Sequence, residues 1–307
     1  MSILVVGSVA YDDLETPFGK KERVLGGAAT HFSASASFFT PVQLVGVVGN
    51  DFNETEISFL KDRGVDLTGL QIQKEGKTFH WKGKYGYDLN EAQTLETHLN
   101  VFADFNPVLP KNFRQAPYVF LANIDPTLQL KVLEQVEKPK LVAMDTMNFW
   151  IKGKLDELKK TLQKVDILLV NEGEARQLTN ERNLIKAAKK IQQWGPKIVT
   201  IKRGEYGALL FANDFIFSAP GFPLEDLKDP TGAGDSFAGG FMGYLTKQGA
   251  NLDESHLKRA VICGSVMASF QVEDFGLDRM RNLTKKEINE RFQAFKNLSH
   301  FEETVIL

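Results

Sequence analysis

Six short runs rich in β-branched residues, Ile3 to Val6, Gln43 to Val48, Tyr118 to Ala122, Leu141 to Met144, Ile167 to Val170 and Ile198 to Ile201, punctuate the chain. They are nearly continuous in apolar character, as strands buried on both faces must be. Between them lie stretches of helical character: Ala28 to Phe39, Pro126 to Glu137, Leu155 to Val165, Glu172 to Leu178 and Leu184 to Trp194. Strand and helix in alternation predict a doubly wound α/β architecture, a mostly parallel sheet with helices on both faces. A length of 307 residues suits a single α/β domain, 1–307, carrying a small appendage.

One region breaks the rhythm. Gln71 to Asn100 alternates apolar and polar residues around Gly76, Gly83 and Gly86, which predicts antiparallel strands of a small β lid. Leu14 to Val24, also without helical periodicity, would add its edge, so the lid insertions are expected at 14–24 and 71–100. The lid aromatics Phe79, Trp81, Tyr85 and Tyr87 suit either stacking on a base or the core of a small sheet. An exposed lid edge is a place where a second subunit could pair, and a homodimer through the lid is open on that ground.

Composition excludes several partner classes. With 43% hydrophobic and 25% charged residues and a formal net charge of -2, the chain has the makings of a core but no basic field to draw nucleic acid or anionic lipid. No apolar run approaches the ~20 residues that span a bilayer. The single Cys263 cannot form an internal disulfide and reads as an inert core residue in the apolar stretch Ala260 to Phe270. The N-terminus runs straight into a strand without a charged and apolar leader, so a cytoplasmic location is expected.

The chemistry concentrates in Asp229-Pro230-Thr231-Gly232-Ala233-Gly234-Asp235-Ser236-Phe237. The following residues carry a helical stripe, Phe237, Phe241 and Leu245, with Ala238, Gly239 and Gly243 small enough for close packing; the helix should end near Gly249. Gly232, Ala233 and Gly234 would then leave backbone N–H groups free at the positive end of that helix, a site for phosphate oxygens. Asp235 beside them would be ionised at neutral pH and able to accept a hydroxyl proton. The plainer alternative is an ordinary loop with Asp235 as helix N-cap. A dinucleotide-binding turn needs a third glycine and an earlier position, and a Walker A sequence is absent.

This stretch resembles the late signature, Asp-Thr-x-Gly-Ala-Gly-Asp, of the ribokinase or PfkB family of carbohydrate and nucleoside kinases, with Pro230 in place of the usual Thr. The resemblance implies a ribokinase-like fold, Asp235 as catalytic base, and Gly232, Ala233 and Gly234 as anion hole. It also implies ATP and Mg²⁺ as cofactors, and a monovalent cation near Asp229 in some members. The early signature is present as Gly7-Ser8-Val9-Ala10-Tyr11-Asp12 followed by Gly26-Gly27, so the resemblance covers nearly the whole chain. By that resemblance Asp12 grips substrate hydroxyls. A carboxylate ending the first parallel strand would face the ligand crevice, although an Asp-Asp turn at Asp12 and Asp13 is the alternative. The glycine pair permits close approach of backbone to a ligand. His31 stands where the family usually has a sugar-binding Asn; it either replaces that amide or is a satisfied histidine at a helix start.

Further matches follow the strands. Asn171-Glu172-Gly173-Glu174 resembles the family's Asn-x-x-Glu motif near phosphates and magnesium, which makes Asn171 and Glu174 the metal organisers by that resemblance; a helix N-cap with first-turn acids is the plainer reading, and the two are compatible. Lys202-Arg203-Gly204-Glu205-Tyr206-Gly207 resembles the segment beside the nucleotide, with Lys202 either on a phosphate or simply solvated. Asp145 and Asn148 resemble the family's Asp-x-Asn with one extra residue between them and rank below Asn171 and Glu174. Phe270 through Gly276 lies where the family closes over adenine, which nominates Phe275 and Gly276, and Thr231 belongs with the phosphate loop. The resulting expectation is phosphoryl transfer from ATP to a small sugar, with a nucleoside as the alternative acceptor and a catalytically silent ligand-binding homologue behind both.

Overall fold

The computed structural model describes residues 1–212 and 215–300. Its strands are β1 (Ile3–Val6), β2 (Ala10–Thr16), β3 (Gly19–Gly26), β4 (Val42–Val48), β5 (Val65–Ile72), β6 (Phe79–Tyr85), β7 (Ala92–His98), β8 (Tyr118–Leu121), β9 (Leu141–Asp145), β10 (Ile167–Asn171), β11 (Ile198–Lys202), β12 (Ala208–Ala212) and β13 (Phe215–Ala219). Nine of them make one sheet in the order β13-β12-β11-β10-β9-β8-β1-β4-β5. The neighbours from β11 through to β5 are parallel, and β12 and β13 run antiparallel at one edge. All six strands predicted from the sequence lie in this sheet. Strand order reverses between β8 and β1, so a crevice opens at the carboxyl ends of the strands, where open α/β sheets bind ligands.

The helices are α1 (Ala28–Ala36), α2 (Glu54–Asp62), α3 (Pro126–Leu133), α4 (Asn148–Gly153), α5 (Leu155–Leu162), α6 (Glu172–Thr179), α7 (Leu184–Gln192), α8 (Ala233–Lys247), α9 (Glu254–Gln271), α10 (Asp278–Asn282) and α11 (Lys285–Ser299). The period-2 alternation of the strands feeds two cores. Ile3, Val5, Ile167 and Leu169 pack with α1, α2, α8, α9 and α11 on one face. Leu4, Val6, Leu168 and Val170 pack with α3 to α7 on the other. Between sheet and α1, Phe32 stacks on Phe120 with ring centroids 4.3 Å apart. Each such fully buried side chain contributes about 1.5–3 kcal/mol of hydrophobic stabilisation.

The second sheet is the lid, in the order β3-β2-β6-β7. It differs from the sequence expectation in three ways. Residues 71–72 complete β5 of the main sheet, and the lid's first strand begins at Ala10, earlier than expected. The pairings β2 with β3 and β6 with β7 are antiparallel, but β2 and β6 run parallel because α1, β4, α2 and β5 intervene between the two hairpins. Asp12 therefore stands inside lid strand β2 and not at the end of β1; Gly7-Ser8-Val9 carries the chain from one sheet to the other. Three further main-sheet strands, β5, β12 and β13, escape the pattern reading. Edge strands such as Val65–Ile72 and Phe215–Ala219 are wet on one side and lack the continuous apolar signal of their buried neighbours.

Candidate active site

Three parallel neighbours end in polar side chains. Asp145 closes β9, Asn171 closes β10 and Lys202 closes β11, so strand register alone sets a carboxyl, an amide and an ammonium along the mouth of the crevice. The amino end of α8 is brought against them by its small residues: Gly239 lies on the Phe32 carbonyl, Gly240 on that of Cys263, and Phe237, Phe241 and Leu245 are buried.

The turn before α8 depends on its glycines. Gly232 caps the helix in the left-handed region, φ 72°, with no side-chain cap, and a β-carbon there would collide with the His31 ring. Asp235 is the third helical residue, so it is not the N-cap, and its carboxyl is free for chemistry. Among the described residues nothing accepts from the N–H of Gly232 or Gly234, whereas Ala233 N–H donates to the Pro230 carbonyl at 3.2 Å. The expected trio of free donors is thus corrected at Ala233, because the turn closes through that group. The Lys202 ammonium stands 2.7 Å from the point a β-carbon on Gly234 would occupy. A helix terminus, open N–H groups and an ammonium converge on one spot.

The loop itself is held from behind. Asp229, fully buried, accepts from Thr231 N–H at 2.9 Å and Gly276 N–H at 3.0 Å. Gln271, also fully buried, donates to the carbonyls of Thr231 (3.2 Å) and Gly276 and accepts from Ser236 Oγ. Gln271 has no motif to mark it; a lone glutamine near the end of an apolar helix, where polar groups must find partners, is the available hint.

Electrostatically the site is acidic around one cation. Burial raises the pKa of Asp235, opposed by Lys202 and by the neighbouring Asp145. Asp145 goes well above the usual carboxylate range, first through burial and then through the Asp235 charge. Both carboxyls are pushed up, Asp145 the further, so Asp235 is the more readily ionised of the two. Burial also raises Glu174, again opposed by Lys202. Asp145 Oδ1 is buried without a hydrogen-bond partner among the described residues. Among the described residues no cluster of three or more His, Cys, Asp or Glu is arranged as a complete metal site. A Mg²⁺ that keeps its waters and binds phosphate oxygens fits this donor set: it needs few protein oxygens and would answer an acidic crevice with one ammonium. Asn171 and Glu174 form a reciprocal capping box, Asn171 Oδ1 accepting from Glu174 N–H at 2.7 Å and Glu174 Oε2 from Asn171 N–H at 2.8 Å. The helix-cap reading of these two residues is therefore realised in the fold.

Across the crevice, Asp12 is 4% exposed, and burial followed by the charges of Asp229 and Asp235 raises its pKa well above normal. The room given by the glycine pair is taken by the protein itself: a β-carbon on Gly26 would collide with the Asp12 carboxylate, and one on Gly27 (φ 94°) would sit 2.5 Å from the Ser8 carbonyl oxygen. His31 is buried behind the Gly232 turn, neither ring nitrogen finds a hydrogen-bond partner among the described residues, and burial pulls its pKa down to about 4. Tyr85 at the end of β6 receives a 3.0 Å hydrogen bond from Thr231 Oγ1 and ties the lid to the anion loop.

The remaining residues read from the sequence spread outward. Gly204 (φ 57°) and Gly207 (φ 84°) flank a single 3₁₀ turn after β11, with Asn90 of the lid packed on Gly204. Phe275 is buried, its ring 3.5 Å from the place of a β-carbon on Gly19, and Gly276 (φ 55°) abuts Val24; both support the lid's base. Asn148 begins α4. No helix among the described residues is long and apolar enough to cross a membrane.

The description pfkB family carbohydrate kinase belongs to the family model that matches residues 3–284. The chain is 33% identical over 262 residues to a cytidine kinase of Thermococcus kodakarensis, an alignment covering 83% of this chain and 91% of the relative. Its fold is similar to that of the Methanocaldococcus jannaschii nucleoside kinase, an archaeal member of the ribokinase family, with a TM-score of 0.76 at 21% identity over 95% of this chain and 98% of that one. It is also similar to a Burkholderia thailandensis nucleoside kinase in complex with inosine, with a TM-score of 0.75 at 18% identity over 96% and 99%.

Proposed function

The chain belongs to the pfkB family of carbohydrate kinases, phosphotransferases with an alcohol group as acceptor, and from that premise we propose that it transfers the γ-phosphate of ATP to the primary hydroxyl of a nucleoside. The likeness to a cytidine kinase at 33% identity over most of both chains carries the choice of acceptor. The sequence alone puts a sugar first; the relatives favour its alternative, since several of them are named nucleoside kinases. A silent homologue would have no need of an aspartate like Asp235, which this chain carries in the first turn of α8.

In this reading Asp235, the more readily ionised of the two neighbouring carboxyls, takes the proton of the attacking hydroxyl. The N–H groups of Gly232 and Gly234 and the Lys202 ammonium receive the phosphoryl oxygens. Asp12 grips acceptor hydroxyls, and Tyr85 on Thr231 closes the lid over the reacting groups so that water is excluded. Mg²⁺, when bound, neutralises phosphate charge, with Glu174 and Asn171 as its organisers. Phosphorylation of cytidine, adenosine, inosine, ribose and fructose with ATP tests the reading. Nucleosides should be preferred by at least tenfold in kcat/KM, and turnover confined to the free sugars would overturn it.

A further inference from the structure

The monovalent cation that the sequence resemblance allows near Asp229 would need oxygens to hold it, since an ion such as K⁺ is taken out of water by carbonyl and carboxylate groups that replace its hydration shell. The oxygens around Asp229 are already engaged. Its Oδ1 accepts from the Thr231 N–H at 2.9 Å and its Oδ2 from the Gly276 N–H at 3.0 Å. The Val272 carbonyl accepts from the N–H groups of Lys228 (2.8 Å) and Asp229 (3.3 Å). The carbonyls of Thr231 and Gly276, the two residues whose N–H groups Asp229 holds, both accept from Gln271 Nε2.

Gln271 is the last residue of α9 and is fully buried. Its amide nitrogen has two N–H donors, and two carbonyls receive them. Carbonyls can only accept, so the nitrogen and not the oxygen of the amide must face them; Oε1 is left to accept from Ser236 Oγ at 3.3 Å. The amide thereby spans the anion loop, because Thr231 stands directly before Gly232 and Ser236 directly after Asp235. A cation at the meeting point of the two carbonyls would have to displace the amide nitrogen. The donor set beside Asp229 does not fit a bound monovalent ion.

We propose that Gln271 is a built-in substitute for that ion: its amide nitrogen takes the place beside Asp229, and its span from Thr231 to Ser236 keeps the anion loop in working shape without K⁺ or Na⁺. Gln271 is then a positioning residue that acts through the N–H groups of Gly232 and Gly234. Such donors stabilise developing charge only if they are in place before the reaction, so a slackened loop loses turnover more than ground-state binding.

The test compares the full-length enzyme in KCl, NaCl and tetramethylammonium chloride at one ionic strength, the last ion being too large to replace an amide nitrogen. Steady-state kinetics use ATP, Mg²⁺ and cytidine, and the thermal midpoint is read without acceptor, so that arm does not depend on the nucleoside reading. Wild type should give the same kcat, KM for ATP and midpoint in all three salts, because an ion with no site on the folded chain cannot stabilise it. Gln271→Ala bares two buried carbonyls. In tetramethylammonium chloride its midpoint should fall by several degrees and its kcat by about tenfold, with the KM for cytidine little changed. K⁺ should restore part of both, since the vacated space then offers it two carbonyls beside a carboxylate. Gln271→Glu, which keeps the volume and removes both donors, should respond to K⁺ in the same direction. A wild-type enzyme stimulated several-fold by K⁺ or Na⁺ would overturn the proposal without recourse to any variant. So would a Gln271→Ala enzyme whose midpoint falls while kcat stays at the wild-type value, the mark of a merely structural glutamine, or variants indifferent to K⁺ in both readouts.

Discussion

The ammonium of Lys202 lies 2.7 Å from the place a β-carbon on Gly234 would take, so the strand end of β11 and the first turn of α8 are fitted to each other without space for one methyl group. Lys202 also opposes the burial-driven rise in the pKa of Asp145, Glu174 and Asp235. One side chain thus bears on both the fit of the proposed anion hole and the ionisation of the proposed base.

Gly234→Ala should displace that ammonium. The expected outcome is a KM for ATP raised by about tenfold and a lower kcat, because a charge-assisted contact to phosphate contributes roughly 1.5–3 kcal/mol. Steady-state kinetics in ATP checks it, and kinetics equal to wild type would remove Lys202 from the phosphate site.

Asp145 and Asp235 make a prediction about pH. As a general base Asp235 must be ionised, and Asp145 beside it opposes the rise in pKa that burial causes. Asp145→Ala removes that opposition, so the Asp235 pKa should rise and the acidic limb of the kcat/KM profile should move to higher pH. Asp145→Asn keeps an N–H donor and should hold the limb closer to the wild-type position. A limb that stays put in Asp145→Ala would show that the two carboxyls act independently.

Glu174→Gln separates cap from charge. A glutamine at the third helical position still accepts from the Asn171 N–H in a capping box, so the thermal midpoint should change little. The magnesium concentration for half-maximal rate should rise several-fold, because the metal's shell loses a charged organiser. Lost stability with unchanged magnesium dependence would leave Glu174 only its structural role.

Asp12 trades stability for binding. Its folded-state pKa lies above the unfolded value, so the penalty of its buried charge is absent at low pH and grows as pH rises from the ordinary carboxylate range through the folded pKa. Asp12→Asn should therefore raise the thermal midpoint by a few degrees at pH 7 and hardly at all at pH 4, while acceptor KM rises about tenfold and ATP is unaffected. Melting curves at the two pH values, set beside acceptor kinetics, decide it.

Much of this fold and site is legible in the sequence, and the rest escapes it for physical reasons. Buried parallel strands announce themselves by continuous apolar runs, so the run lengths alone place Asn171 and Lys202 at strand ends. Asp145 sits at a strand end by the same logic, but its pairing with Asp235 crosses 90 residues of chain and no local pattern records it. Gly26 and Gly27 signal close approach without saying to what, and the partners prove to be Asp12 and Ser8. The lid aromatics are equivocal as sequence because stacking surface and sheet core use the same residues; in the fold Phe79 stacks on Phe102, Trp81 packs against Gly83 and Tyr85 meets Thr231.

The central claim is that Asp235 is the general base, and replacing it with Asn tests that most directly. The amide keeps the size of the side chain and cannot take a proton. Measured with ATP and cytidine, Asp235→Asn should lower kcat by about 10²–10⁴-fold while ATP binding and the thermal midpoint stay close to wild type. A variant that turns over within a few-fold of the wild-type rate would contradict the account.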